Sequence, residues 1–233
     1  MNLFYQPSIQ QGIFHLDSTE SKHCTKVLRK KAGDKIHITD GKGFLYEAVI
    51  TLADPAECRF EIQQKKTETI KSYSIHIAIS PTKHPDRLEW FVEKAVELGV
   101  DRITIMNCEH TEQSHYKLER LEKIAISAMK QSLRVTLPNI EGPKDFKMVI
   151  DDPYAALKFI AHIDASNPDH LKNIARPHSE YLILIGPEGD FSPDELRLAA
   201  AKKFKKVNLG SNRLRTETAG LAACNILNLV NTP

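Results

Sequence analysis

Two stretches of the sequence place glycines and charged residues between a strand-like and a helix-like segment. The first stretch reads Ile185-Gly-Pro-Glu-Gly-Asp-Phe-Ser-Pro-Asp-Glu195. Within it, Ser192 fits a helix N-cap, Pro193 fits the first helical position, and Glu195 completes a Ser-x-x-Glu capping box. The glycines permit a tight turn or a close approach of the backbone to a ligand, and ligands often bind where a parallel strand ends. A well-capped loop without a ligand is the alternative.

The charges of this loop restrict what it could bind. A phosphate site needs exposed N–H groups and a cation. This loop instead carries the carboxylates of Glu188, Asp190, Asp194 and Glu195. The sequence has no G-x-x-x-x-G-K-[ST] and no G-x-G-x-x-G motif, so nucleoside triphosphates and dinucleotides are disfavoured. A ligand that lacks phosphate, or that carries a positive charge, suits the loop better.

The second stretch reads Leu209-Gly-Ser-Asn-Arg-Leu-Arg-Thr-Glu-Thr-Ala219. Thr216 suits an N-cap, and Glu217 lies in the first helical turn, where the helix dipole favours a negative charge. Arg213 and Arg215 precede that turn. Arginines at such a place either are solvated or, beside a ligand, hold phosphate or stabilise developing negative charge.

Two basic runs stand out in a chain whose net charge is only +2. Residues 21–33 contain five lysines or arginines and no acid, and residues 196–216 contain seven and no acid. The first run has the pattern of a basic amphipathic helix that includes Lys26, Arg29 and Lys30. Two such runs favour a polyanionic partner, although a merely solvated surface has the same composition.

A further polar pair lies at the end of a long helical pattern. Gln131 and Arg134 are three residues apart and share a helical face, with a simple polar helix end as the alternative. Elsewhere there is no G-x-S-x-G motif, and none of the ten histidines belongs to an H-E-x-x-H or similar pair. We therefore predict no metal site.

The composition is that of a globular protein. The chain has 233 residues, of which 41% are apolar and 27% charged, and this disfavours disorder. No apolar run approaches the roughly 20 residues of a membrane helix, and the N-terminus lacks the pattern of a secretory signal. The four cysteines are scattered without a C-x-x-C pair, which excludes a zinc ribbon and disfavours a disulfide scaffold. We predict a reducing, cytoplasmic location.

The first 70 residues are predicted to be rich in β-strands. Apolar and polar residues alternate over Lys35–Thr39 and Cys58–Ile62, and Phe44–Leu52 has a strand-like composition, with turn residues between Lys35–Thr39 and Phe44–Leu52. The pattern predicts a helix over Ser18–Lys31, and the polar stretch Gln63–Ser72 is interpreted as a linker. Short strands separated by turns indicate a small barrel or sandwich.

After Tyr73 strands alternate with longer helices, which indicates an α/β domain with a mostly parallel sheet. The predicted strands are Ile75–Ile79, Arg102–Met106, Lys158–Ala161 and Tyr181–Ile185. The predicted helices are Arg87–Leu98, Tyr116–Arg134, Pro193–Lys203 and Thr216–Val230. The dense apolar strands suit a sheet that is covered on both faces.

Together these segments resemble the ribosomal RNA small subunit methyltransferase E family, a family of the SPOUT class of S-adenosylmethionine-dependent methyltransferases. Ile185–Phe191 is similar to the family's I-G-P-E-G-G-F motif, and Leu214–Ala219 is similar to its L-R-T-E-T-A motif. The supporting similarities are those of His23–Asp34, Glu93–Val100 and Gln131–Arg134, so the resemblance runs along the whole chain. The sequence departs from the family's pattern at Asp190, where glycine is usual, and at Arg213, where isoleucine is common.

The resemblance implies an α+β protein of two domains. Residues 1–70 would form a PUA-like RNA-binding β-barrel, and residues 74–233 would form an α/β SPOUT domain with a trefoil knot. The implied reaction is methylation of N3 of a uridine in 16S ribosomal RNA, free or in the assembled small subunit, by a homodimer with its active site near the subunit interface. The implied cofactor is S-adenosyl-L-methionine, whose sulfonium charge and lack of phosphate agree with the charges of the first loop. The residues expected to bind it are Ile185, Gly186, Pro187, Glu188, Gly189, Leu209, Gly210, Leu214, Thr216, Glu217, Thr218 and Ala219.

The resemblance also suggests roles outside the cofactor loops. RNA contacts are expected from Lys26, Arg29, Lys30 and Gln131. Stabilisation of the uridine anion is expected from Arg215, with Arg134 as the second candidate. Glu217 is a possible general base, but a carboxylate in the first turn of a helix is a weak one, so the base is left open. Another SPOUT-type RNA specificity, or a catalytically silent RNA-binding protein of the same fold, are the alternatives.

Overall fold

The computed structural model describes residues 2–68, 71–112, 115–153, 157–162 and 169–232. By its internal contacts the chain divides into two compact units. The first unit comprises Met1–Ile70 together with Ile126–Leu137, and the second comprises Lys71–Ala125 together with Pro138–Pro233.

The first unit is built on a four-stranded sheet in the order β1-β2-β3-β4. Its strands are β1 (Leu3–Tyr5), β2 (Lys35–Thr39), β3 (Phe44–Leu52) and β4 (Arg59–Thr67). β1 runs parallel to β2, and the other pairs are antiparallel. Because side chains alternate between the two faces of a strand, Ile36 and Ile38 of β2 enter the same core as Ala48 and Ile50 of β3.

Two predictions for this unit are wrong in extent. Helix α1 covers Ser18–Lys22, continues as a π-helical turn over His23–Val27, and does not reach Lys31. Arg29 adopts a left-handed backbone with φ of 53°, which a continuing right-handed helix cannot contain. The stretch interpreted as a linker begins as the second half of β4, because the backbone up to Thr67 pairs with β3 in spite of its polar side chains.

The segment Ile126–Leu137 joins the first unit through contacts that no local pattern could indicate. It contains the last turns of helix α3 (Leu118–Gln131). The hydroxyl of Thr39 donates to the carbonyl oxygen of Val135 at 3.0 Å, and the N–H of Leu137 donates to the carbonyl oxygen of Gly41 at 2.8 Å. A division near residue 70 alone therefore leaves out this segment.

The second unit contains a six-stranded sheet in the order β10-β8-β9-β5-β6-β7, in which every neighbouring pair is parallel. Its strands are β5 (Ser74–Ile79), β6 (Arg102–Asn107), β7 (Asn139–Asp145), β8 (Leu157–Ala161), β9 (Glu180–Ile185) and β10 (Lys205–Val207). The mostly parallel sheet that the sequence indicates is confirmed.

Helices cover both faces of this sheet. The helices of the second unit are α2 (Pro85–Leu98), α4 (Phe146–Ile150), α5 (Leu171–Ile174), α6 (Pro193–Ala201) and α7 (Thr216–Val230), together with α3 up to Ala125. On one face, Leu182 and Leu184 of β9 share a core with Phe146 of α4. On the other face, α7 packs against β5 and β9 and against α2. This double burial explains why the central strands are apolar at nearly every position.

The sequence did not predict β7, β10, α4 or α5, which are short or polar. Among the described residues, no helix is long and apolar enough to cross a bilayer. The trefoil knot stays a prediction.

Candidate functional site

A cavity of about 320 Å³ opens at the carboxyl ends of β8, β9 and β10, which are neighbours at one side of the sheet. Its volume lies within the range of about 300–1,000 Å³ that is typical of small-molecule sites. Its walls are formed by the loop that follows each of these strands and by the first turns of α7. Both glycine-containing stretches that the sequence singles out contribute to this one cavity.

The loop after β9 is held by the predicted capping box. The hydroxyl oxygen of Ser192 accepts from the N–H of Glu195 at 3.3 Å, and Glu195 Oε2 accepts from the N–H of Ser192 at 2.9 Å. The other carboxylate oxygen, Oε1, accepts from the N–H of Glu109 at 2.9 Å. Glu195 therefore uses both oxygens to fix the backbone and is not available to a ligand.

Asp190, one of the two departures from the family's pattern, takes the backbone conformation that glycine adopts most easily. Its φ is 62°, in the left-handed region that Asp and Asn tolerate better than most residues. Oδ1 accepts from the N–H of Phe191 at 2.8 Å. Oδ2 lies 2.9 Å from Nδ1 of His162, too poorly aligned for a hydrogen bond. The carboxylate thus lies on the cavity wall beside an imidazole.

Gly186, which lines the cavity, packs closely against the Phe191 ring. A Cβ atom there would lie 3.0 Å from Cε2 and 3.1 Å from Cδ2 of the Phe191 ring. That ring is buried and packs against Phe146, with 5.8 Å between the ring centroids. A side chain at Gly186 therefore requires the buried Phe191 ring, which follows Asp190, to shift by a few tenths of an ångström.

The two loops are bonded to each other. The hydroxyl of Thr216 donates to the carbonyl oxygen of Gly186 at 3.1 Å, and Nη2 of Arg213 donates to the carbonyl oxygen of Glu188 at 3.2 Å. Arg213, the second departure from the family's pattern, therefore links the loop after β10 to the loop after β9. Within the loop after β10, Gly210 has a φ of 138°, a conformation that a residue with a side chain rarely adopts.

The charges on the cavity wall are more balanced than the sequence suggests. The acidic residues Glu188 and Asp190 line it, but so do the basic residues Arg213 and Arg215. Arg215 is exposed and makes no side-chain hydrogen bond or ion pair with the described residues. A ligand with both a cationic and an anionic group suits this wall.

The cavity brings together most of the residues that were expected to bind a cofactor. Nine of the twelve line it, and these are Ile185, Gly186, Pro187, Glu188, Leu209, Gly210, Leu214, Thr216 and Ala219. Gly189, Glu217 and Thr218 are not among the lining residues. The sequence missed Ala161, His162, Val207, Asn208 and Asn212, which also line it. Ala161 and His162 meet the glycine loops only through the order of the strands. Val207, Asn208 and Asn212 lie just before or within the second glycine-containing stretch, but no local motif marks them.

Glu217 and Thr218 instead line an open groove beside the cavity, together with Asp86, Arg87 and Trp90 of α2. Arg213, Leu214 and Arg215 line both the cavity and the groove. The carboxylate of Glu217 is buried, and its Oε2 has no hydrogen-bond partner.

The remaining predicted site residues belong to the first unit. Lys26, Arg29 and Gln131 are exposed there, and Lys30 and Arg134 are partly buried. Lys26, Arg29, Lys30 and Gln131 stay expectations for RNA contact that rest on charge and on the resemblance. Arg134 stays the second candidate for stabilising the uridine anion.

Comparison with known families identifies both units. Residues 69–228 match the family model described as an RNA methyltransferase domain, and residues 16–63 match the one described as an RNA methyltransferase PUA domain. The protein is therefore an RNA methyltransferase with a PUA-like unit and an α/β catalytic unit, which confirms the predicted fold class.

Individual relatives narrow this assignment. The chain is 31% identical to the ribosomal RNA small subunit methyltransferase E of Rickettsia conorii, over 89% of this chain and 86% of that protein. It is 28% identical to the enzyme of the same name from Buchnera aphidicola, over 97% and 91%. The chain belongs to the ribosomal RNA small subunit methyltransferase E family.

Solved structures agree. The structure of a probable rRNA-methyltransferase from Porphyromonas gingivalis matches with a TM-score of 0.93 and 43% identity, over 99% of this chain and 98% of that one. The structure of a ribosomal RNA small subunit methyltransferase E from Neisseria gonorrhoeae, bound to S-adenosyl methionine, matches with a TM-score of 0.88 and 28% identity over the same shares.

Proposed function

We propose that this protein transfers a methyl group from S-adenosyl-L-methionine to N3 of a uridine in 16S ribosomal RNA. One observation carries the proposal: the two most specific motifs of the family, which lie about 30 residues apart, form a single ligand cavity at the ends of β8, β9 and β10. The relative from Neisseria gonorrhoeae was solved with S-adenosyl methionine bound. The uridine and its N3 position rest on the resemblance of the sequence.

The cavity fits the proposed cofactor chemically. S-adenosyl-L-methionine carries a sulfonium cation, an ammonium group and a carboxylate, and it has no phosphate. Glu188 and Asp190 provide carboxylates for the positive groups, and Arg213 and Arg215 provide guanidinium groups for the negative one. When bound, the cofactor supplies an electrophilic methyl group on its sulfur.

The proposed reaction asks two things of the protein. N3 of uridine carries a proton and becomes nucleophilic only when that proton is removed, after which negative charge spreads over O2 and O4. The site must hold N3 in line with the methyl group, which is mainly a matter of positioning, and must stabilise the delocalised charge. We assign this stabilisation to Arg215, with Arg134 as the second candidate.

Further parts of the proposal concern the rest of the chain. We assign RNA contact to the PUA-like domain over residues 1–70, through Lys26, Arg29 and Lys30, and to Gln131, and we assign catalysis to residues 74–233. The substrate is 16S rRNA, free or in the small subunit, and the enzyme acts as a homodimer in the cytoplasm.

The decisive experiment is methylation in vitro. Small ribosomal subunits from a strain that lacks the gene are incubated with the purified protein and S-adenosyl-L-methionine, and the 16S rRNA is digested and mapped by mass spectrometry. The proposal expects one new 3-methyluridine. Another methylated nucleoside would favour a different SPOUT-type specificity. No methylation, together with no binding of S-adenosylhomocysteine by calorimetry, would favour a silent RNA-binding protein.

A further inference from the structure

We propose that the open groove beside the cavity, lined by residues of α2 and α7, is the nucleobase subsite, and that Glu217 accepts the N3 proton of uridine there while Trp90 stacks on the base. This inference rests on the proposed function, because it assumes that the substrate is a uridine. It assigns Glu217 to the substrate, whereas the resemblance placed it among the residues that bind the cofactor.

The first argument is the state of the Glu217 carboxylate. The residue is 6% exposed, and its Oε2 has no hydrogen-bond partner. The nearest cation is Arg87, whose Nε lies 4.0 Å from Oε1, too far for a hydrogen bond. Buried polar atoms in native proteins are nearly always hydrogen-bonded. A buried acceptor that lacks a partner and belongs to a residue lining a groove therefore indicates that a bound ligand supplies the donor.

The second argument is the place of Glu217 relative to the cavity. The preceding residue, Thr216, lines the cavity and is bonded to Gly186. Arg213, Leu214 and Arg215 line both the cavity and the groove. The groove and the cavity therefore adjoin along residues 213–215. A nucleobase in the groove lies beside a cofactor in the cavity, with Arg215 next to both.

The third argument is the pattern of donors and acceptors. The edge of uracil that reacts presents the N3–H donor between the O2 and O4 acceptors. The groove presents a carboxylate acceptor near the donor-only guanidinium groups of Arg87 and Arg215. Cytosine presents an acceptor at N3 and would leave Glu217 unpaired, so this arrangement also favours uridine over cytidine.

The fourth argument is the exposed aromatic ring. Trp90 is 46% exposed and lines the groove. Tryptophan stacks well on nucleobases and on arginine side chains, and single-stranded nucleic acids are commonly held in this way. It is the only tryptophan in the chain, which makes it a natural reporter of the groove.

The helices that carry these groups are held rigidly together. A Cβ atom at Gly220 of α7 would lie 2.5 Å from Cε2 of Phe91 on α2, so only glycine allows the two helices to approach as closely as they do. Phe91 follows Trp90 directly, and Gly220 is one helical turn after Glu217. The spacing between the carboxylate and the indole is therefore fixed by packing.

The chemical step is balanced without a further reactant. The N3 proton passes to a carboxylate oxygen of Glu217, and the electron pair left on N3 forms a bond to the methyl carbon. As that bond forms, the bond from methyl carbon to sulfur breaks and its electrons stay on sulfur, which becomes a neutral thioether. The proton then leaves Glu217 to solvent, and the carboxylate is restored.

Binding is tested through the fluorescence of Trp90, with S-adenosylhomocysteine present. The probes are five-nucleotide RNAs with a single central uridine or a single central cytidine. Saturable quenching by the uridine RNA, with at least tenfold weaker binding of the cytidine RNA, supports the assignment. No quenching, or equal affinity for the two RNAs, overturns it.

Proton transfer is tested by single-turnover methylation as a function of pH. Glu217→Gln should slow the step by about 10²-fold or more, as loss of a general base does. The rate of this variant should also rise tenfold per pH unit, because either hydroxide must remove the N3 proton or the uracil must already be ionised. The wild-type rate should not change with pH over the same range. Glu217→Asp should recover part of the rate. A slow variant with the wild-type pH profile would mean that Glu217 is only structural and would overturn the proposal.

Controls separate this inference from the alternatives. Glu93→Gln, a carboxylate change on α2 outside the groove, should leave the rate and its pH profile unchanged. Trp90→Phe should keep most of the affinity for the uridine RNA, and Trp90→Ala should lose at least tenfold. If Trp90→Ala or Glu217→Gln dissociates the protein in sedimentation velocity, the groove is covered by a second copy and the proposal is overturned.

The methylation assay distinguishes this inference from the proposed function. If the wild type methylates uridine and Glu217→Gln does so at the same rate, only this inference is overturned. If the wild type does not methylate uridine, the proposed function is overturned as well.

Discussion

The hydroxyl of Thr216 donates a hydrogen bond to the carbonyl oxygen of Gly186, with 3.1 Å between Oγ1 and O. Gly186 lies in the loop after β9, Thr216 is the first residue of α7, and the two belong to the two most specific motifs of the sequence. Thr216 is buried and the bond is partly buried, and it fixes the start of α7 against the end of β9. The cavity wall is therefore one structure made of two loops, and a change in either loop should alter ligand binding.

Gly186 should tolerate a branched side chain poorly. Replacing Gly186 with Val should lower the affinity for S-adenosyl-L-methionine by more than tenfold while the protein stays folded, because a Cβ would push the Phe191 ring, 3.0 Å away, towards the cavity loop. Titration calorimetry measures the affinity, and circular dichroism checks the fold. Gly189→Ala makes a similarly tight contact, 3.1 Å from Cβ of His110, but lies outside the cavity lining and should have the smaller effect. Unchanged affinity in Gly186→Val would remove this glycine from the site.

Asp190 should be replaceable by Asn but not by Ala. Asn tolerates the left-handed φ of 62° and keeps an oxygen for the N–H of Phe191, whereas Ala adds backbone strain and loses that acceptor. We expect Asp190→Ala to unfold with a free energy about 1–2 kcal/mol below that of Asp190→Asn. Urea unfolding of both variants measures the difference. Equal stability would show that the loop relaxes without strain.

The basic run of the first unit should serve RNA and not the cofactor. Changing Lys26, Arg29 and Lys30 together to Gln should weaken RNA binding and reduce the slope of log affinity against log salt by about 2–3, as expected when three phosphate contacts are lost. The affinity for S-adenosyl-L-methionine should not change. Filter binding at several salt concentrations gives the slope.

A matched control tests whether the loss of net charge alone reduces the salt dependence. Lys117, Lys123 and Lys147 are exposed lysines of the second unit, and changing them to Gln removes the same charge. Their loss should reduce the slope much less. An equal reduction in both triple variants would mean that the first run is ordinary surface.

Local sequence signals predicted the parts of the site that are local in the structure. The capping box of Ser192 and Glu195 forms as the spacing indicates, and α7 begins at Thr216 and ends at Val230 as its periodicity indicates. The helix predicted to reach Lys31 fails because Arg29 turns left-handed, and the helical periodicity carries no signal for that turn. β7 was not predicted, because its Gly-Pro pair and charged residues are atypical of a strand, although it pairs with β6.

Contacts between distant segments could not be predicted from local patterns. His162 lies close to Asp190 because β8 lies beside β9. The periodicity of a strand does not indicate which strand lies next to it. The bond from Arg213 to the carbonyl oxygen of Glu188 has the same origin. The motif resemblance supplied what periodicity could not, because it assigned both glycine loops to one ligand.

Glu141 should make the protein sensitive to acid. Burial raises the pKa of this carboxyl, but hydrogen bonds from Lys144, Arg102 and Thr104 outweigh that effect and lower the pKa to about 2. Because the pKa in the unfolded chain is about 4.3, the contribution to stability is fully present above that pH and is lost as the pH falls towards 2. It amounts to at most about 3 kcal/mol. Urea unfolding between pH 7 and pH 2.5 should show a steeper loss in the wild type than in Glu141→Gln, and parallel curves would contradict the assignment.

Arg215 should matter for the chemical step more than for cofactor binding. It is exposed, it lines both the cavity and the groove, and its guanidinium is not held by an ion pair with the described residues, so it is available to a ligand. Arg215→Ala should slow single-turnover methylation of small subunits by about 10²-fold or more, as loss of one preorganised donor does. Arg215→Lys should recover only part of the rate, because an ammonium group cannot reach two acceptors as a guanidinium can. Arg197→Ala, at an exposed arginine of α6 that pairs with Asp194, is the matched control and should react at the wild-type rate. A normal rate in Arg215→Ala, with cofactor affinity measured separately, would remove Arg215 from the mechanism and leave Arg134 as the candidate.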